Sequence, residues 1–201
     1  MPVEIAAYSD PAINKLYNLL FADDQEAFEV LADQEAAQVA VDDSAESRLR
    51  AVAYRKLAKS GQPVAGEPPL LGTIVEIGLD EGLDTLAAYA DGSVRYFNHA
   101  GGGSLIEPGT ALQVQAAAVL LASKAVVAAI GPWEGERLPP PPAGQARLTF
   151  LTGGQLYFGQ GPFGALAADA LAGPVLAAAT TLLSGVVALS TAGQAEGEAS
   201  S

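Results

Sequence analysis

The chain has 201 residues, half of them apolar, with no cysteine and a net charge of −13. This length suits one domain, or one with a small helical appendage, and supplies enough apolar surface for a core. The lack of cysteine excludes disulfides, thiolate catalysis and Cys-ligated metal centres. The acidic balance opposes a nucleic-acid partner, whose backbone needs a cationic footprint.

The charge is unevenly placed. Residues 1–46 hold eleven acids and one base, Lys15, whereas residues 47–60 hold five bases and no acid. Met1-Pro2-Val3-Glu4 lacks the basic and apolar regions of a secretory signal, so a cytoplasmic location is expected. Ser9-Asp10-Pro11 reads as a helix start, followed by Ile13, Leu16, Tyr17 and Leu20 on one apolar face. Asp24 is expected to cap a second helix with Ala27, Phe28 and Leu31 inward. Asp43 and Glu46 resemble a capping box for a third helix, which runs to about Ser60 with Leu49, Val52, Ala53 and Leu57 inward. Glu46 and Arg50 stand at the spacing of a helical ion pair. Residues 1–61 therefore form an N-terminal helical segment, and the proline-bearing stretch from Gln62 to Pro69 is the boundary before residues 70–190.

From Thr73 the apolar period changes to two. Val75, Ile77 and Leu79 share one face, and Asp80-Glu81-Gly82 turns the chain. Asp91-Gly92 joins Thr85–Ala90 to Val94–Asn98 in a hairpin whose two-residue register sets Tyr89 opposite Val94. Ser104–Glu107 is a fourth strand, and Thr110–Ala129 an alanine-rich helix. Gly153-Gly154 makes a second hairpin, with Leu151, Leu156 and Phe158 on one face and Leu148, Phe150 and Tyr157 on the other. Both faces are apolar, so this sheet is covered on both sides, by the N-terminal helices or by a partner. Helices from Phe163 to Leu171 and from Pro174 to about Leu189 follow, and residues 191–201 read as a disordered polar tail. The fold class is α+β: an antiparallel sheet, a meander plus a second hairpin, packed with helices and preceded by the N-terminal helical segment.

Several motifs have ordinary structural readings. Gly159-Gln160-Gly161-Pro162-Phe163-Gly164 fits a dinucleotide fingerprint in letters. It follows a hairpin strand, though, and Pro162 removes an amide that phosphate would need, so it reads as a hairpin-to-helix turn. The single histidine, His99, stands five residues from Ser104 without the surroundings of a nucleophile, and reads as a turn residue. The basic helix, with Arg48, Arg55 and Lys59, either docks an acidic surface or answers the acids before it. Trp133 and the run Leu138-Pro139-Pro140-Pro141-Pro142 form a polyproline ligand or a stiff spacer. The uncharged stretch Ala170–Ala195 is long enough to span a bilayer but is broken by Gly173-Pro174 and Gly185, and reads as a core or partner-packing helix.

From about residue 44 the order is helix, three or four strands, helix, two strands, helices. This order resembles that of type III secretion chaperones, small acidic and usually dimeric proteins that hold an extended effector segment. Roadblock- and profilin-like modules have a related mixture of elements. The resemblance covers roughly two thirds of the chain and implies a non-enzymatic protein-interaction module, an adaptor or chaperone-like regulator. The expected partner is another protein or a second copy of the chain, with no nucleic acid, membrane, metal or cofactor. Candidate contact residues are Tyr96, Phe97, Trp133, Phe150 and Tyr157, with Arg48, Arg55 and Lys59 as a second surface. The alternative is a metal-assisted hydrolase built on Asp80, Glu81 and Asp84.

Overall fold

A computed structural model of the chain describes residues 5–23, 33–62 and 68–199. In chain order these form α1 (Pro11–Leu19), α2 (Asp33–Val41), α3 (Ser47–Lys59), β1 (Leu70–Leu79), β2 (Gly82–Tyr89), β3 (Val94–Phe97) and β4 (Gly103–Ile106). Then come α4 (Gln113–Ala129), β5 (Gln145–Thr152), β6 (Leu156–Pro162), α5 (Phe163–Ala168) and α6 (Ala172–Ala199). The strands make one antiparallel sheet in the order β4-β3-β2-β1-β5-β6, so the two predicted hairpin systems meet at β1 and β5. The fold is α+β.

The two faces of the sheet are covered by different helices. On the first, Tyr17, Leu20 and Phe21 from the N-terminal region and Val52, Ala53 and Leu57 from α3 pack with Leu71, Ile74, Tyr89 and Leu151 of the strands. On the second, α4 and α6 bury Val119, Leu120, Leu182 and Val186 against Val75, Val94, Leu148 and Phe150. The N-terminal helices thus share one core with the sheet rather than forming a separate body. The helix expected at Asp24–Leu31 lies outside the described residues; α2 is a helix that the pattern did not give.

Three local expectations change. The β2–β3 loop has three residues, not two: Tyr89 receives a hydrogen bond from Gly92 and donates to Ser93, with Gly92 at φ +88°. This bulged turn moves the register by one, so that Ala88, not Tyr89, faces Val94. Asp43 and Glu46 do not form a capping box. Asp43 pairs with Arg50 at 2.8 Å, Glu46 pairs with Arg48, and the α3 N-terminus is closed from a distance. There Asp91 accepts the Ser47 amide at 2.7 Å while Ser47 Oγ accepts the Asp91 amide at 2.9 Å, a capping exchange across 44 residues. Finally, α6 starts at Ala172 because Asp169 accepts the Leu171 and Ala172 amides, both at 2.8 Å. Its backbone stays helical to Ala199, past the point at which the sequence pattern places a polar tail.

The polyproline run lies hard against the sheet. A Cβ at Gly78 would meet the Pro142 carbonyl oxygen at 2.2 Å, so only glycine allows this approach. Prolines cannot donate, and Arg147 supplies the missing partner by donating to the Leu138 and Pro139 carbonyls at 3.1 and 2.8 Å. The stiff return is thereby fixed to β5.

Candidate functional site

On the second face, α4 covers the part of the sheet near Ala88 and Val94, but the other end is roofed only loosely. A cleft of about 260 Å³ remains there. Its floor follows from strand alternation: Val75 and Ile77 of β1, Asp84 and Leu86 of β2, and Tyr96 of β3 all point to this face. Its roof is Phe163 at the start of α5 and Leu176, Ala179, Thr180 and Leu183 on α6. On α6, roof position 179 carries only a methyl group, so a larger side chain there would narrow the space. Phe163 is 42% exposed and forms part of the mouth.

The one charged lining group is Asp84. Its Oδ2 accepts from the Tyr96 hydroxyl at 3.1 Å, and its Oδ1 accepts from the His99 amide at 2.8 Å and lies 3.0 Å from His99 Nδ1. Glu81 Oε2 stands 3.7 Å from His99 Nε2, so the imidazole sits between two carboxylates. Desolvation, with the Asp84 charge and hydrogen bond added, pushes the Tyr96 phenol up to about 12, so it remains a neutral donor at physiological pH. The arrangement can bind an apolar group with a polar anchor at one end. Among the described residues, no group of three or more His, Cys, Asp or Glu side chains is placed to hold a metal ion. Asp84 and Glu81 are instead turned to His99. Ser104 Oγ lies 3.0 Å from Ser190 Oγ on α6 and belongs to a strand-to-helix contact.

The sequence-derived contact residues do not gather on one surface. Tyr96 lines the cleft, and Tyr157 is half-buried against the same core. Phe150 is 0% exposed and Phe97 1% exposed, so both are core residues and not contacts. Phe150 points into the layer under α4 and α6, while Phe97 alternates to the first face and meets Tyr8 edge-on with ring centroids 6.3 Å apart. Trp133 is 40% exposed; its amide donates to the Leu156 carbonyl at 2.7 Å, and its ring meets Phe158 edge-on at 4.7 Å. It caps the outer edge of β6. The basic helix is largely engaged within the chain: Arg48 pairs with Glu46 and lies over the Tyr89 ring, and Arg55 donates to the Phe21 carbonyl at 3.4 Å. Lys59, at its end, is exposed.

Sequence reading missed Phe163, Leu176, Ala179 and Leu183. The available signal was an alanine inside an otherwise bulky apolar helical stripe, which alone does not separate a gap from tight packing. The stretch Ala172–Thr191 of α6 is long and apolar enough to cross a membrane, with a mean hydropathy of 1.8, and in this fold it buries Val175, Leu182 and Val186 against the sheet layer.

Comparison with known proteins found no family model, no curated protein and no solved structure that matches this chain. The likeness to secretion chaperones therefore rests on element order.

Proposed function

We propose that this protein is a non-enzymatic protein-interaction module, of adaptor or chaperone-like type, that takes apolar side chains of a partner segment into the cleft between the sheet and α5–α6. The observation that carries this reading is the cleft itself, in which the half-buried Ile77, Asp84 and Tyr96 of the sheet face a roof that includes the exposed Phe163. Among the described residues the central strands are otherwise packed under helices on both faces, so a partner segment enters at this opening. Burying one aliphatic or aromatic side chain there contributes about 1.5–3 kcal/mol, so two or three such contacts along a segment give useful affinity.

Selection from a linear heptapeptide library displayed on phage, with Ala179→Phe as the counter-target, tests the reading. Enriched peptides should bind the parent protein and lose at least about tenfold in affinity on the filled variant. Leu183→Trp, at a half-buried roof position, is the second filling variant, and circular dichroism verifies that each is folded. Failure to enrich any peptide, or equal binding to folded filled variants, rejects the cleft as the site.

A further inference from the structure

The cleft's lining carries one charge, that of Asp84. Resting on the reading just given, we infer that the bound segment places a lysine or arginine beside its apolar anchor, with the cation on Asp84. Among the residues lining the cleft Asp84 is the only charged one, and no lysine or arginine is present to balance it from the walls. Its side chain keeps 24% of its surface open. An ionised carboxylate offers about four lone-pair sites, and Tyr96 and His99 provide at most three donors, so acceptor capacity remains. The imidazole of His99 lies outside the cleft lining and is shared between Asp84 and Glu81. Asp80 and Glu81, both exposed, form the turn two residue pairs beyond Asp84 and add negative charge near it.

This geometry selects by charge as well as by shape. A guanidinium or ammonium gains a charge-assisted hydrogen bond beside an apolar wall that lowers the local dielectric. An acidic segment or a carboxylate-headed lipid would bring a second negative charge to Asp84 and be disfavoured. The chain's net charge of −13 works in the same direction at long range, steering cationic segments toward it.

The composition of the selected peptides and one isosteric exchange test this. Enriched heptapeptides should carry arginine or lysine within two positions of an aliphatic or aromatic residue. Synthetic versions with arginine replaced by citrulline, which keeps the shape and removes the charge, should bind about tenfold more weakly to the parent. Asp84→Asn keeps the acceptor for Tyr96 and should abolish that difference. If the variant is unfolded by circular dichroism, titration between about 50 and 500 mM NaCl replaces it: the arginine peptide should weaken with salt and the citrulline peptide should not. Enriched peptides without a basic residue, no citrulline effect, or the same effect on folded Asp84→Asn overturn the charge assignment while leaving segment binding in place. No enrichment at all overturns the segment-binding reading first, and this inference with it.

Discussion

The two faces of the sheet are held by different physics. On the first face, polar groups cross the core: Tyr17 donates to Glu76 Oε1 at 2.7 Å, Arg147 grips the same carboxylate through Nε and Nη2 at 2.6 and 2.7 Å, and Tyr89 donates to the Leu20 carbonyl at 2.9 Å. Glu76 is 0% exposed and Arg147 3%. On the second face the one fully buried side-chain pair among the described hydrogen bonds is Thr73 to Ser123 at 2.8 Å; Tyr96–Asp84 and Ser104–Ser190 are partly or fully exposed, and most of the packing is aliphatic, with Phe150, Tyr96 and Tyr157. Directional partners fix one placement of the N-terminal helices, since any shift orphans a charge. Apolar contacts accept small displacements more cheaply. The face with fewer buried directional ties is the one that carries the cleft.

Substitutions on each face test this contrast. Glu76→Ala should have the largest effect, about 3–5 kcal/mol of lost stability in urea unfolding, because it leaves the Arg147 guanidinium buried without its carboxylate. The double variant Glu76→Leu/Arg147→Met should not restore stability, since the Leu138 and Pro139 carbonyls and the Tyr17 hydroxyl lose their partners too. A loss below about 1 kcal/mol for Glu76→Ala would remove the polar network as the basis of the contrast. On the second face, Leu182→Ala, at a fully buried position, should cost about 3 kcal/mol through a cavity alone and show no dependence on pH between about 5 and 8.

Asp91→Ala should come next, at about 1 kcal/mol, because it removes the cap on α3. Burial by itself would raise the Asp91 carboxyl, but the amide and hydroxyl groups of Ser47 and Ser93 outweigh it and hold the group below its ordinary value. A depressed carboxylate contributes stability that is present above its unfolded pKa of about 3.9 and is lost as pH falls through the folded value. The gap between Asp91→Ala and the parent should therefore be constant at neutral pH and close in acid, measured by thermal unfolding across pH. Asp91→Asn, which keeps an acceptor, should retain most of the cap. Smallest of all, Leu121→Gln on the outer side of α4, where Leu121 is 69% exposed, should change stability by no more than about 0.5 kcal/mol.

Much of the architecture was legible in local pattern. Alternation in Thr73–Leu79 and in Arg147–Phe158, with glycine at the turns, was enough to place the strands, and the apolar pairs Leu151/Leu156 and Phe150/Tyr157 lie across β5 and β6 in the expected register. Apolar residues on both faces of that hairpin already required two covering layers. The site was less legible. Tyr96 and Asp84 stand out in the sequence for separate reasons, and pattern alone does not separate the core aromatics Phe97 and Phe150 from contacts, because an aromatic in a strand looks alike whether it faces a helix or a partner.

Local sequence therefore settles the six strands, their order, most of the helices though not α2, and the two-sidedness of the sheet, because these depend on backbone preferences and on spacing within a few residues. Tertiary contact settled which helices lie on which face, that Asp91 caps a helix 44 residues earlier, that Glu76 meets Arg147 across 71, and that Asp84 and Ala179 line one cleft. Those outcomes depend on volumes and charges brought together from distant parts of the chain, and no local period encodes the gap between two packed layers.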